Sequence, residues 1–495
     1  MLCDERSPQG GVRTHAPCVT SASGLLQVRS KVPVTAFTEF TCLLLCRHRG
    51  VVDAAARGAD DVDGAGLDPS CYEPLQQAHQ LQAAGDWLSA AAIYAELACR
   101  HPDDHRLLAN QGNALWLADL PAAAHLAYSR ALALNPQCLV SRRGLASCLR
   151  DLNCFDQALA VHRLLEPIFP HRSEEGLANL WAHSQVLIGL ERFGEAFTRM
   201  ASRRAWAAGR TPTPWNALAA QITLVTEQGF GDSLQFVRFL LPLLRRRAAA
   251  GLRNGVRLRV EPALVDCFRE GLAWLEIPPQ VDPLSPDDST QDALTLLELP
   301  GALGLQQLPQ IRGDGAYLTS PLWVGGGAGR PLQVGLVSAA GHPGADPFCI
   351  REFQKRTLPM PILWRLVDAL RQSGAQVHDL QFGADACRHR ALGLSPLPSG
   401  AGLDGFAATA RAVAQLDLVI SVDTAMAHLM GAMGRFGWVL LPWSADPRWL
   451  SAGPLSPWYP RLRLFRQPRP GDWHGAVDQL LDTFKSGHFA AGKAP

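Results

Sequence analysis

The stretch HRLLANQGNALWLADLPAAAHLAYSRALALNPQC (105–138) decides the architecture of the first half of the chain. Gly112, Ala124, Tyr128 and Ala131 stand at its positions 8, 20, 24 and 27. One period earlier Ala78, Ala90, Tyr94 and Leu97 hold those places, and one period later Ala146, Ala158, His162 and Leu165 do. Pro102, Pro136 and Pro170 recur 34 residues apart. Small residues at two positions let antiparallel helices pack closely, an aromatic fills the space between repeats, and the proline closes the second helix. A degenerate fourth copy over 177–207 keeps Phe193 and Ala196 in register after a small insertion. The reading outward from this stretch is a helical repeat array over 71–210; a generic helical bundle is the alternative.

Pro212 and Pro214 mark the exit from the array, and the pattern then changes. ITLVT (222–226), VRLRV (256–260) and ALTLLEL (293–299) read as strands separated by helical segments, the first helix running from the loop at 229 to about Arg246. A Gly-rich connection from Pro321 to Pro331 leads to a second set: strands LQVGLVS (332–338), QVHDL (376–380), LDLVIS (416–421) and WVLLP (438–442), with helices near 361–372, 406–415 and 424–433. Strand–helix alternation predicts parallel sheets covered on both faces. The expected organisation is a helical solenoid followed by two Rossmann-like α/β domains, 215–325 and 330–488, with a cleft between them. Residues 1–70 lack periodicity and read as a disordered or non-native N-terminal extension.

The 495 residues are 47% apolar and 18% charged, with 46 basic against 45 acidic side chains. That balance leaves no basic field to grip nucleic acid. No apolar run approaches the ~20 residues of a transmembrane helix. The twelve cysteines contain no CxxC pair, so reduced thiols in the cytoplasm are expected rather than a disulfide framework or zinc site.

Two segments carry candidate chemistry. In EQGFGDSLQF (227–236), Gly229-Phe230-Gly231-Asp232 joins a strand to a helix; the glycines permit close backbone approach, and the helix start offers N–H groups to an anion. Asp232 there is either a functional carboxylate or a helix cap. In DLVISVDTAMAHLMGAMG (417–434), Asp423 is placed to cap a helix on which Thr424 and His428 share a face. Backbone N–H groups, the Thr424 hydroxyl and a donor or positive charge from His428 suit a diphosphate. Arg351, Lys355 and Arg356 form a basic stretch. The tail 443–467, rich in tryptophan and proline, reads as a packed irregular lid or a sugar pocket.

These residues carry a resemblance. The repeats resemble tetratricopeptide repeats. EQGFGDSLQF, VGLV (334–337), LDLVISVDTAMAHLMGAMG, LLPWSADPRWL and SPWYPRLRLFRQPRPGDW look like bacterial tetratricopeptide-repeat proteins with a C-terminal domain similar to glycosyltransferase family 9, the heptosyltransferases. The resemblance implies a metal-independent GT-B fold acting on a nucleotide-activated sugar, with no cofactor. Asp232 then corresponds to the catalytic base. Asp423, Thr424, Ala425 and His428 correspond to the donor motif, joined in the donor set by Gly229, Gly231, Lys355 and Arg356. Ser338-Ala339-Ala340-Gly341 and Gly434-Arg435-Phe436-Gly437 depart from the family pattern. The expected function is sugar transfer to an acceptor hydroxyl, with the repeats recruiting a protein acceptor or partner. A non-catalytic interaction scaffold with a degenerate transferase unit and a sugar-nucleotide epimerase are the alternatives.

Overall fold

A computed structural model describes residues 68–170, 172–207, 215–285, 293–312, 315–319, 330–341, 346–394, 397 and 405–487. The expectations for residues 1–67, for Pro212 and Pro214, and for most of the 321–331 connection lie outside the described residues.

The helical half is built of hairpins: α1 (Tyr72–Ala83) with α2 (Trp87–Arg100), α3 (His105–Leu117) with α4 (Pro121–Leu134), α5 (Leu139–Asp151) with α6 (Phe155–Leu165), and α7 (Glu174–Gly189) with α8 (Phe193–Ala207). Ala78, Ala90, Ala124, Ala146 and Ala158 are fully buried, as their periodic placement requires. The Tyr128 ring is wedged so tightly that a Cβ at Gly112 or Gly144 would lie 2.7 or 2.2 Å from it. Its hydroxyl donates to Asn113 Oδ1 at 2.6 Å. Each hairpin turn contains one left-handed residue: Gly85, Asp119, Asn153 and Glu191. A left-handed residue after a helix lets the chain reverse while the last carbonyls are still met.

Strands β1 (Ile222–Val225), β2 (Val256–Val260), β3 (Gln280–Pro283) and β4 (Leu294–Thr295) form a parallel sheet in the order β3-β2-β1-β4. Only two residues of ALTLLEL pair in it, and β3 was not expected; Asp282 and Pro283 disguise this edge strand. The helix after β1 is shorter than expected. α9 (Phe230–Phe236) gives way to a 3-10 turn at Val237–Phe239 before a second helix, Leu240–Ala249. Pro242, without an N–H to continue the ladder, accounts for the break.

A second parallel sheet has the order β6-β5-β7-β8-β9, from β5 (Gln333–Val337), β6 (Gln376–Asp379), β7 (Leu418–Val422), β8 (Gly437–Leu441) and β9 (Leu462–Arg466). β9 comes from the tail read as irregular. The basic stretch belongs to a helix, α10 (Pro347–Arg356), capped by Asp346, whose carboxylate accepts from Cys349 N–H, with proline at its first position. After β7 comes α11 (Ala425–Ala432).

The array is not a separate body. One buried apolar cluster contains Phe155, Phe193 and Phe197 of the array, Phe236 and Leu258 around the first sheet, and Trp449, Trp458 and Tyr459 of the tail. A second cluster fills one face of the second sheet, with Leu336 and Ile420 packed against Leu363, Leu366 and Leu480. Among the described residues no helix is long and apolar enough to cross a membrane.

Candidate functional site

Both candidate loops sit where their sheets change direction. In the first, β2 lies on one side of β1 and β4 on the other, and the Gly-rich loop leaves the C-terminal end of β1. In the second, β5 is followed by β6 on one side and β7 by β8 on the other, so the order reverses between β5 and β7, and Asp423-Thr424 leaves the C-terminal end of β7. Such switch points hold open the crevices in which α/β sheets bind ligands.

The two loops meet. A Cβ on Gly231 would stand 2.8 Å from the His428 ring and 3.7 Å from Ala425 Cα, so the starts of α9 and α11 are in direct contact. Asp232 does not cap α9; Gly229 is the cap, and Asp232 reaches back to accept its N–H at 3.0 Å. The other carboxylate oxygen of Asp232 pairs with Arg448. Just upstream, Gln228 is held at φ 72°, an uncommon conformation for a residue with a Cβ.

At α11 the cap is Thr424, not Asp423 as the sequence suggested: Thr424 Oγ1 accepts from Met426 N–H at 3.2 Å. Asp423 is buried, and burial pushes its carboxyl up despite the nearby Arg356. Arg356 donates to the Asp423 carbonyl at 3.3 Å. His428 lies between Trp449, stacked at 5.3 Å, and Gly231, and its Nδ1 meets the Tyr459 hydroxyl at 2.9 Å. Burial and then Arg448 hold its basicity well below the ordinary imidazole range. His428 is therefore neutral, which removes the positive charge expected of it and leaves a ring nitrogen as its contribution. Positive charge near α11 comes from Arg356 and Arg448.

Lys355 is not brought to this place. Its amine pairs with Glu352 at 2.7 Å with 5% of the side chain exposed. Glu352 in turn meets Arg351, which reaches Asp119 at 2.8 Å and Asp151 at 2.7 Å on the array. Gly229, Gly231, Asp232, Arg356, Asp423, Thr424, Ala425 and His428 all lie on the two meeting loops or contact them.

Sequence reasoning missed Arg448 and Glu261. Arg448 Nη1 reaches Asp232 and, at 2.9 Å, Gln235 Oε1, while Nε and Nη2 grip Asp446 at 3.0 and 3.1 Å. Burial pushes the Asp446 carboxyl up, but Arg448 more than offsets this and holds it at about 2. Nothing in spacing separates Arg448 from the other arginines of the tail. Glu261 follows β2, buried with its carboxyl pushed up by burial, and accepts from Ser233 Oγ at 3.4 Å. A cavity of about 360 Å³, lined by Gly271, Leu318, Ala407, Ala410, Leu429 and Met433 among others, lies towards the C-terminal end of α11 and includes none of the residues at the two loops. Among the described residues no group of three His, Cys, Asp or Glu side chains is arranged to hold a metal ion.

No family model matches the chain, and no curated protein matches it. Solved structures are similar at low identity, among them three glycosyltransferases. The E. coli heptosyltransferase WaaC with ADP is 15% identical, with 55% of this chain and 99% of that chain covered, at a TM-score of 0.35. A glycosyl transferase family 9 protein from Veillonella parvula is 10% identical over 57% of this chain and all of its own, at a TM-score of 0.38. A mutant of the Thermobaculum terrenum O-GlcNAc transferase is 14% identical over 90% of this chain and 92% of its own, at a TM-score of 0.27.

Proposed function

We propose that this chain is a glycosyltransferase of GT-B type. Two Rossmann-like domains, 215–325 and 330–488, face each other across a cleft, and an array of the tetratricopeptide type presents a protein acceptor or docks a partner. The observation that carries this reading is the contact between α9 and α11. Each leaves a switch point of a parallel sheet; one brings a carboxylate, Asp232, that is 19% exposed, and the other brings a helix start suited to an anion.

In this reading a nucleoside diphosphate sugar lies with its phosphates at the start of α11. The acceptor hydroxyl gives its proton to Asp232, and its oxygen attacks the anomeric carbon from the face opposite the diphosphate. The bond from that carbon to the leaving oxygen breaks, the electron pair goes with the diphosphate, and the anomeric centre inverts. The Thr424 hydroxyl, the α11 N-terminus and Arg356 meet the charge that develops, without a metal ion.

One observation favours the rival reading, a non-catalytic scaffold. Arg448 already occupies Asp232, as a residual structural pair would. Slow donor hydrolysis by water separates the two, since the acceptor is unknown. Asp232→Asn is expected to keep the melting temperature and nucleoside diphosphate binding, with or without chelator, while hydrolysis falls by ~10²–10⁴-fold. Equal hydrolysis by the variant and the natural protein removes the catalytic reading.

A further inference from the structure

The array touches both loops that carry the Asp232–Arg448 pair. On one side Arg203 of α8, buried and with its guanidinium 5.1 Å over Trp181 of α7, pairs with Glu227. Glu227 opens the loop that continues through strained Gln228 to Asp232. On the other side Phe193, the first residue of α8, meets the Trp458 ring edge-on at 5.9 Å. The Trp458 indole N–H donates to the Arg448 carbonyl at 2.6 Å. The turn Pro447–Trp449 itself packs on α7. It leads into Leu450, held at φ 57° and ψ 176°, a backbone region that essentially only glycine enters without strain. Strained residues thus flank both members of the Asp232–Arg448 pair, and each strained loop is braced by the same helical hairpin.

Arg448 is suited to hold a carboxylate in place. Its rigid fork spans Asp446 on one edge and Asp232 with Gln235 on the other. Asp446 is gripped from three directions, because Arg448 N–H also donates to its Oδ1 at 2.8 Å. The guanidinium is therefore fixed before it reaches Asp232. The groups facing it from every side are Asp232 and Gln235 on α9 and Asp446 on its own turn, with Asp423 adding its charge from the β7 end.

We infer that Arg448 is a positioning residue for Asp232, and that the α7–α8 hairpin, by bracing the loops of both, is part of the transferase site rather than only a docking platform. This rests on the proposed transferase reading. It assigns the last repeat a task in the chemical step that recruitment of a partner would not require.

The test uses the full chain and hydrolysis of a panel of nucleoside diphosphate sugars: UDP-glucose, UDP-N-acetylglucosamine, GDP-mannose and ADP-glucose. Arg448→Ala is expected to lower kcat by ~10–100-fold, the scale of a misplaced catalytic group, while KM for the donor stays unchanged. Added guanidinium is expected to restore part of that loss. Arg448→Lys, a point charge that cannot span two carboxylates, is expected to keep the melting temperature and still lose kcat. Phe193→Leu, remote from any ligand, is expected to lower kcat in the same direction. An unchanged kcat in Arg448→Ala overturns the inference, as does a rise in KM at constant kcat, which would make Arg448 a donor ligand. If Asp232→Asn is inactive and Arg448→Ala is fully active, only the inference fails. If Asp232→Asn retains full activity, or the natural protein hydrolyses no donor, the transferase reading fails and the inference with it.

Discussion

At the residue scale the site depends on what is small. Gly231 lets α9 lie against the His428 ring, and that ring has no room to retreat, because Trp449 stacks on it and Tyr459 holds its Nδ1. Adding one methyl group at 231 forces a neighbour to move in a fully packed place. Gly231→Ala is expected to cost about 1–3 kcal/mol, the usual range for overpacking. The melting temperature measures it, and His428→Ala in the same chain is expected to recover much of the loss, since the two side chains then no longer compete for one volume. Additive losses in the double variant would mean that the two loops do not meet. The sequence made the glycine legible as a place of close approach but not what approaches it. The partner lies almost two hundred positions away, and no local pattern encodes that distance. Arg448 was hidden for the same reason: its meaning comes from Asp232, which only the fold brings near.

At the element scale, legibility followed periodicity. The repeat hairpins were readable because small and aromatic positions recur in phase, and the central strands because they are continuous apolar runs. β3, β4 and β9 were missed or misjudged: all three are edge strands, β4 pairs through only two residues, and arginines alternate with the buried leucines of β9, so none is a continuous apolar run. The array also carries an element-scale weakness. His162 of α6 is buried, its Nδ1 2.7 Å from Asn179 Oδ1, and its ring stacks on that of His183 of α7 at 5.7 Å. Burial lowers His162 to about 4 and His183 to about 3, from an ordinary 6.5. Glu166 lies 3.7 Å from His183, beyond a hydrogen bond, so desolvation outweighs its attraction. Both rings are neutral when folded but take up protons when unfolded below pH 6.5. Their contribution is therefore full above pH 6.5 and is lost as pH falls from there towards 4 and then 3. Denaturant unfolding at a series of pH values is expected to show stability falling over that window. A His162→Gln, His183→Gln chain is expected to show a flatter profile there; an identical profile would place these rings in water.

At the scale of the whole molecule, the repeat array and the α/β sheets pack into one another rather than meeting only through a linker. The array, the first sheet and one face of the second sheet share one apolar cluster, and an ion-pair set adds a further tie between α10 and the array. Arg351 of α10 is fully buried over the Trp116 ring at 4.5 Å, and it reaches Asp119 and Asp151 across the junction. Burial pushes the Asp151 carboxyl up, but Arg150 and then Arg351 more than offset this and hold it well below the ordinary carboxylate range. Phe348 of the same helix stacks on Trp116 at 5.8 Å. In the sequence Arg351 read only as part of a basic stretch, because Asp119 and Asp151, which it meets, belong to the array. Removing one partner of such a buried set leaves an uncompensated charge, so Arg351→Met is expected to cost about 3–5 kcal/mol. The informative readout is how that loss is distributed. With one shared core, helicity by circular dichroism and tryptophan fluorescence are expected to report a single coincident transition in the natural protein. In Arg351→Met both signals should move together to lower denaturant. If helicity is lost first while the tryptophan signal holds, the array is an independent body, and bracing of the Asp232 loops by its last hairpin loses its physical basis.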